Sequence, residues 1–155
     1  LSSFRPIKKV LFLWGGALPL SAFFLAQEYW CKCDIIDVDT EAIEHAKKLI
    51  KLFGLEEKIR LFHEDAYKYV GTEEYDVCYI AALLIEEKKK QNSLFQHIKK
   101  HINASYFLIR SSHTTRELLY KKVSIKSAKK YLHIQYIIHP KNHIINSIII
   151  AKKYD

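Results

Sequence analysis

Apolar residues in this chain fall into short runs separated by longer amphipathic stretches. Lys9 to Leu13 is an apolar run that ends at glycines, the mark of a buried strand. Leu18 to Tyr29 then carries helical spacing, with Leu20, Phe23, Phe24 and Ala26 among its apolar positions. Cys33 to Asp37 is a second strand that stops on a carboxylate. A helix capped by Thr40 follows, with Ala42, Ile43, Ala46, Leu49, Ile50 and Phe53 in one stripe and Gly54 placed as its stop.

The alternation continues. Ile59 to Phe62 predicts a third strand leading into His63-Glu64-Asp65-Ala66. Tyr75 to Ala81 predicts a fourth, so uniformly apolar that cover on both faces is expected. Glu86 to His101 reads as a polar helix with Leu94, Phe95 and Ile98 facing inward. Tyr106 to Ile109 is a fifth strand ending at Arg110-Ser111-Ser112-His113, and Arg116 to Tyr120 a short helix. Leu132 to Ile138 and Ile144 to Ala151, separated by Pro140-Lys141-Asn142-His143, read as a closing antiparallel hairpin. The expected fold is α/β: a doubly wound, mostly parallel, seven-stranded Rossmann-like sheet with a C-terminal antiparallel hairpin. At 155 residues, a single domain spanning 1–155 is expected.

Composition narrows the class. No apolar run approaches the roughly 18–20 residues of a membrane span; the longest, Ala17 to Ala26, is broken by Pro19. A signal-peptide layout is absent at the N-terminus, so a cytoplasmic location is expected. The sequence contains no methionine, whereas a translated chain normally starts with one, so either a processed N-terminus or a segment preceding Leu1 is expected. Cys31, Cys33 and Cys78 are an odd set of thiols and argue against a disulfide framework. Cys31-x-Cys33 has no second ligand pair, and no metal site is assigned. The net charge of +8 comes from scattered lysine doublets with only four arginines, a pattern of solvated helix faces. A nucleic-acid footprint would be a continuous patch with Arg and stacking aromatics.

The candidate chemistry gathers at strand ends. In an open α/β sheet the ligand binds outside the carboxyl ends of the strands, where chain order reverses. The turn Trp14-Gly15-Gly16, with Leu18 and Pro19 leading into the helix, lets backbone approach a ligand closely. Gly16 and Asp37 are separated by the roughly 20 residues of one strand–helix–strand unit, which places Asp37 and Val38 to receive ribose hydroxyls. Asp65, with the Ala66 amide beside it, is placed to accept from an exocyclic adenine amine. Ala81, Ala82 and Leu83 are expected to form an apolar wall beside the base. Among eight histidines, only His113 lies past a strand end near the expected pocket, where it could act as base or carboxylate partner. Arg110 is the candidate for a bidentate grip on a carboxylate.

Leu13-Trp14-Gly15-Gly16-Ala17-Leu18-Pro19-Leu20-Ser21 resembles the glycine-Pro-Leu-Pro-Leu-Thr turn of nicotianamine synthases, especially the archaeal nicotianamine synthase-like proteins. Tyr75 to Leu83 is similar to their Tyr/Phe-Asp-Val…Ala-Ala-Leu strand. Arg110-Ser111-Ser112-His113 is similar to their Arg-Ser-Ala-His segment, and Leu119-Tyr120 to the Leu-Tyr that follows, which adds Tyr120 to the substrate-side candidates. The terminal hairpin is also the usual ending of class I S-adenosylmethionine-dependent transferases. The resemblance implies S-adenosylmethionine as substrate. It implies transfer of its 3-amino-3-carboxypropyl group to a small-molecule amine or amino-acid acceptor, with release of methylthioadenosine. Trp14 stands where the family has glycine, and Ala17 where it has proline. The family's catalytic groups and acceptor site lie in an N-terminal helical domain outside this sequence, so no catalytic base is assigned.

Two other readings stay open on the residues alone. One is an ordinary S-adenosylmethionine-dependent methyltransferase, which would release S-adenosylhomocysteine. The other is a degenerate, non-catalytic binding module, with RNA as the partner its basic charge would suit.

Overall fold

The computed structural model describes residues 6–81, 88–112, 123–139 and 146–154. Its strands are β1 (Lys9–Leu13), β2 (Lys32–Asp37), β3 (Ile59–His63), β4 (Glu74–Ile80), β5 (Asn103–Ser112), β6 (Leu132–Ile138) and β7 (Asn146–Lys153). The described helices are α1 (Leu20–Glu28), α2 (Thr40–Leu52), α3 (Lys88–His101) and α4 (Ile125–Ala128). All seven strands join one sheet in the order β3-β2-β1-β4-β5-β7-β6. β1 to β5 pair in parallel, and β7 runs antiparallel to both β5 and β6. The fold is therefore the doubly wound α/β sheet with a terminal antiparallel pair, and β7 inserts between β5 and β6. Chain order reverses between β1 and β4, which makes the C-terminal ends of these two strands the switch point.

Side-chain alternation along the strands divides the core in two. On one face Leu11, Leu13, Ile36, Cys78, Ile80 and Phe107 pack under Leu94, Phe95 and Ile98 of α3. On the other, Val10, Phe12, Cys33 and Ile35 pack under Ala22, Phe23 and Ala26 of α1 and Ile50 of α2. Each fully buried Leu, Ile or Phe contributes about 1.5–3 kcal/mol by leaving water.

Two carboxylates are buried among the described residues, Asp34 and Asp37. Asp34 on β2 receives Arg60 Nε and Nη2 bidentately, at 2.7 and 2.6 Å, and the Tyr75 hydroxyl at 2.8 Å. Arg60 also donates to Glu73 at 2.6 Å, and Glu73 accepts from Lys9. Those bonds from Lys9 and Arg60 pull the exposed Glu73 carboxyl down to about 2, while burial pushes the Tyr75 phenol up. Asp76 accepts from the Lys8 and Lys9 amides at 2.7 and 2.8 Å and so fixes the start of β1 against β4.

Several local expectations are corrected. The cap of α2 is Asp39, whose side chain accepts from the Glu41 and Ala42 amides; Thr40 is the first helical residue and instead pairs with His63. Helix α1 begins at Leu20, because Pro19 restricts the preceding residue, and its Leu20 and Phe24 are exposed. Phe53 lies beyond the end of α2 and is exposed, although its edge meets Phe23. β5 runs longer than Tyr106–Ile109, because β7 extends the pairing to Ser112. β4 ends at Ile80 and is not covered throughout: Val77 and Tyr79 line an open apolar groove. Helix α4 carries too few residues to show a period in the sequence. The expected helix Arg116–Tyr120 lies outside the described residues.

Candidate functional site

The turn after β1 is shaped by three different demands. Trp14 donates its amide to the Ile36 carbonyl at 2.8 Å, which carries the β1–β2 ladder one step beyond the strand. The backbone then turns left-handed, with φ of 69° at Trp14 and 67° at Gly16. At Gly15 the constraint is contact, since a Cβ there would lie 2.1 Å from Ile35 Cγ2. The loop is thus pressed flat onto β2.

Asp37, at the end of β2, organises what surrounds it. Its side chain is buried, 2% exposed. Oδ2 accepts from the Gly16 amide at 2.7 Å and Oδ1 from the Asp39 amide at 3.0 Å. Its carbonyl accepts from the Glu64 amide at 3.0 Å. One residue therefore ties the glycine turn, the start of α2 and the end of β3 together. An ionised carboxylate has about four lone-pair sites, so two remain for hydroxyl donors.

The end of β3 is a tight turn built on Asp65. Its Oδ1 accepts from the Tyr67 amide at 2.9 Å, and its carbonyl accepts from the Lys68 and Tyr69 amides at 2.8 and 2.9 Å. His63 bonds through Nε2 to the Val38 carbonyl at 2.9 Å, so that nitrogen donates, and it also meets Thr40 Oγ1 at 3.2 Å. The imidazole holds the β2–α2 loop against β3.

These pieces enclose one small crevice of about 100 Å³, lined by Trp14, Ile36, Asp37, Val38, Glu64, Asp65, Ala66 and Tyr67. Of the residues expected from sequence, it brings Trp14, Asp37, Val38, Asp65 and Ala66 together, with Gly16 attached through Asp37. Ala81 stays beside the turn, since its amide donates to the Leu13 carbonyl at 3.3 Å. Leu18 and Pro19 stand outside the lining, and Leu18 is exposed. Arg110 is half-buried on β5 opposite Ile148 and does not line the crevice. Ala82, Leu83, His113 and Tyr120 lie outside the described residues.

Ile36, Glu64 and Tyr67 were not foreseen as lining residues. Glu64 and Tyr67 flank Asp65 and Ala66, and an Asp followed by a polar turn was the signal that could have marked them. Ile36 carried no signal beyond core periodicity. The thiols take no part: Cys31 donates to the Ile7 carbonyl and Cys33 to the Ala22 carbonyl, and burial pushes the Cys33 thiol up to about 12.

Comparison with known proteins agrees with this architecture. The family described as "Nicotianamine synthase protein" matches residues 2–155. Nicotianamine synthase 1 of Arabidopsis thaliana is 29% identical over 150 residues, which cover 94% of this chain and 47% of that protein. Nicotianamine synthase 9 of Hordeum vulgare is 30% identical over 151 residues, covering 94% and 44% respectively. The chain spans about half the length of the curated relatives it matches. Among solved structures, MtNAS in complex with MTA and tNA superposes with a TM-score of 0.83 at 21% identity, over 98% of this chain and 55% of that one. The N-methyltransferase NodS from Bradyrhizobium japonicum in complex with S-adenosyl-L-homocysteine gives 0.72 at 15% identity, over 96% and 79%. These likenesses carry the fold, and the sequence match across nearly every residue carries the kinship: the chain belongs to the nicotianamine synthase family.

Proposed function

We propose that this chain is the S-adenosylmethionine-binding part of a nicotianamine synthase-type transferase. The observation that carries this reading is the buried Asp37 carboxylate at the rim of the crevice, bonded to the Gly16 amide with acceptor capacity to spare. In this reading Asp37 takes the ribose hydroxyls, Asp65 and the Ala66 amide address the adenine edge, and the Gly15–Gly16 backbone passes close to the amino-acid portion. Leu18, Pro19 and Ala81 frame the outer edge of the same site, with Arg110 on the acceptor side; Ala82, Leu83, His113 and Tyr120 remain candidates from the sequence alone. The crevice of about 100 Å³ is smaller than the roughly 300–1,000 Å³ of ordinary ligand pockets. Trp14 lines that crevice, so in this reading its indole stands beside the bound adenosine.

The chemistry is a displacement at carbon. The lone pair of the acceptor amine attacks the sulfonium-bound carbon of the aminobutyrate arm. The C–S bond breaks toward sulfur and methylthioadenosine leaves, while the new ammonium loses a proton. What the site supplies is placement: the sulfonium must present that carbon rather than its methyl. The acceptor is a small-molecule amine or amino acid. A cytoplasmic setting belongs to this reading and is supported by three free, buried thiols; among the described residues no helix is long and apolar enough to cross a membrane.

The test is product analysis with S-adenosylmethionine and a set of amino-acid acceptors. Methylthioadenosine is the expected product. S-adenosylhomocysteine would show methyl transfer instead. Absence of S-adenosylmethionine binding by calorimetry, together with salt-sensitive RNA binding, would overturn the enzyme reading.

A further inference from the structure

Lysine doublets that are far apart in sequence meet in space. Lys99-Lys100 lies in the last turn of α3, Lys129-Lys130 follows α4 and Lys152-Lys153 closes β7. Tyr154 gathers them. Lys99 Nζ lies 5.7 Å from its ring centroid, and its hydroxyl donates to the Lys129 carbonyl. His133, which faces Lys152 in the β6–β7 register, stacks on the same ring at 5.8 Å and 14°. Lys152 Nζ in turn lies 4.6 Å from the ring centroid of Tyr106 on β5. β1 to β5 run in parallel, and this is the end at which β5 starts. The patch is therefore at the opposite edge of the sheet from the crevice.

Such a cluster has an electrostatic cost, because like charges brought together repel in the folded state. That cost is not relieved locally: among the described residues Lys99, Lys129 and Lys152 have no carboxylate partner. Glu74, at the start of β4, is bonded by Asn103 Nδ2 at 3.2 Å. The result is a positive surface on a chain of net charge +8. Aromatic rings are set into it. Tyr106 and Tyr154 are 40% and 45% exposed, so rings and ammonium groups alternate. Doublets that read in sequence as solvated helix faces thus assemble the basic patch with stacking aromatics that nucleic acid requires.

We infer that this end of the domain binds single-stranded RNA, with phosphates on the lysines and bases stacked on Tyr106 and Tyr154. Lysine ammonium groups neutralise phosphates and release their counterions. Tyrosine rings take unpaired bases whatever their identity, because every base has a π-face. A duplex keeps its bases in the stack, and an anionic membrane offers no ring, so the tyrosines select the single strand. In the cytoplasmic setting proposed above, that strand is RNA. Lysine lacks the planar fork that reads base edges bidentately, so binding tolerates any sequence. The patch stands apart from the crevice, and RNA binding here does not rest on the transfer reaction.

Fluorescence anisotropy with a labelled, mixed-sequence single-stranded RNA of about twelve nucleotides tests this. Log affinity should fall against log salt with a slope of about −2 or steeper, roughly −0.7 for each of three lysine–phosphate contacts. Lys99→Gln/Lys129→Gln/Lys152→Gln should bind at least about tenfold more weakly and flatten the slope by about 2. Lys47→Gln/Lys48→Gln/Lys51→Gln removes the same charge from α2 and should bind as wild type does. Tyr106→Leu keeps every charge and should weaken RNA binding about fivefold or more, leaving the slope unchanged. Should the first triple variant lose its cooperative melt, Lys129→Gln/Lys130→Gln, at exposed positions, replaces it with a slope flatter by about 1.4. Equal losses in the two triple variants would reduce the effect to net charge and overturn the proposal. So would unchanged affinity in Tyr106→Leu, duplex RNA bound as tightly, or a preference for phosphatidylserine vesicles. Absence of saturable RNA binding at about 0.1 M salt would overturn it outright.

Discussion

The Gly16 amide donates to Asp37 Oδ2 at 2.7 Å, joining the turn after β1 to the end of β2 across 21 residues of sequence. The same carboxylate receives the Asp39 amide. The residue expected to bind the ribose is therefore also the residue that shapes the loop around it. Removing it affects two properties at once, and they can be separated. Asp37→Asn keeps one acceptor oxygen and should fold while losing S-adenosylmethionine affinity by calorimetry. Asp37→Ala leaves two amides without their acceptor and should cost a further 1–3 kcal/mol or so in denaturant unfolding.

Gly15 tests the flatness of the turn. A Cβ at 2.1 Å from Ile35 Cγ2 cannot be accommodated without displacement. Gly15→Ala should destabilise by about 1–3 kcal/mol through overpacking. In a double-mutant cycle with Ile35→Ala, the Gly15→Ala penalty should fall, because the clashing methyl is gone. An unchanged penalty would place the strain elsewhere.

Trp14 holds a left-handed backbone, φ 69°, at the position where the family resemblance has glycine. A non-glycine residue there costs on the order of 1–3 kcal/mol. Trp14→Gly should relax that strain, enlarge the crevice and tighten S-adenosylmethionine binding. If the indole instead stacks on adenine, binding will weaken. In a Trp30→Phe background Trp14 is the sole tryptophan, so its fluorescence should change on addition of S-adenosylmethionine.

Acid should weaken the fold through Glu73. Lys9 and Arg60 hold its carboxyl near 2 in the folded chain, against 4.5 ordinarily. A depressed folded value means its contribution is complete above about pH 4.5 and is lost as pH falls toward 2. Wild type should exceed Glu73→Gln in stability at neutral pH, and the two should converge below about pH 2 in urea titrations. A constant gap across that range would show that the ion pairs contribute nothing.

How much of this was written in the one-dimensional pattern can be judged residue by residue. Val10–Leu13 declares itself as a strand because a strand buried on both faces is apolar throughout, and Cys33–Asp37 does so through Cys33, Ile35 and Ile36 despite its two carboxylates. Alternation of such runs with helical periods is enough to specify a doubly wound sheet. The order of Gly16, Asp37 and Asp65 was legible for a related reason: in this topology the ends of β1, β2 and β3 must lie along one edge. Tertiary structure decided the rest. Nothing local distinguishes an outward Leu20 or Phe24 from a core residue, since one-dimensional hydrophobicity does not say which neighbours arrive. Likewise Asp39 displaced Thr40 as the cap, β7 slid between β5 and β6, and Gly15 proved to be fixed by Ile35. Each of those outcomes depends on contacts between segments far apart in sequence, and those contacts exist only once the sheet has formed.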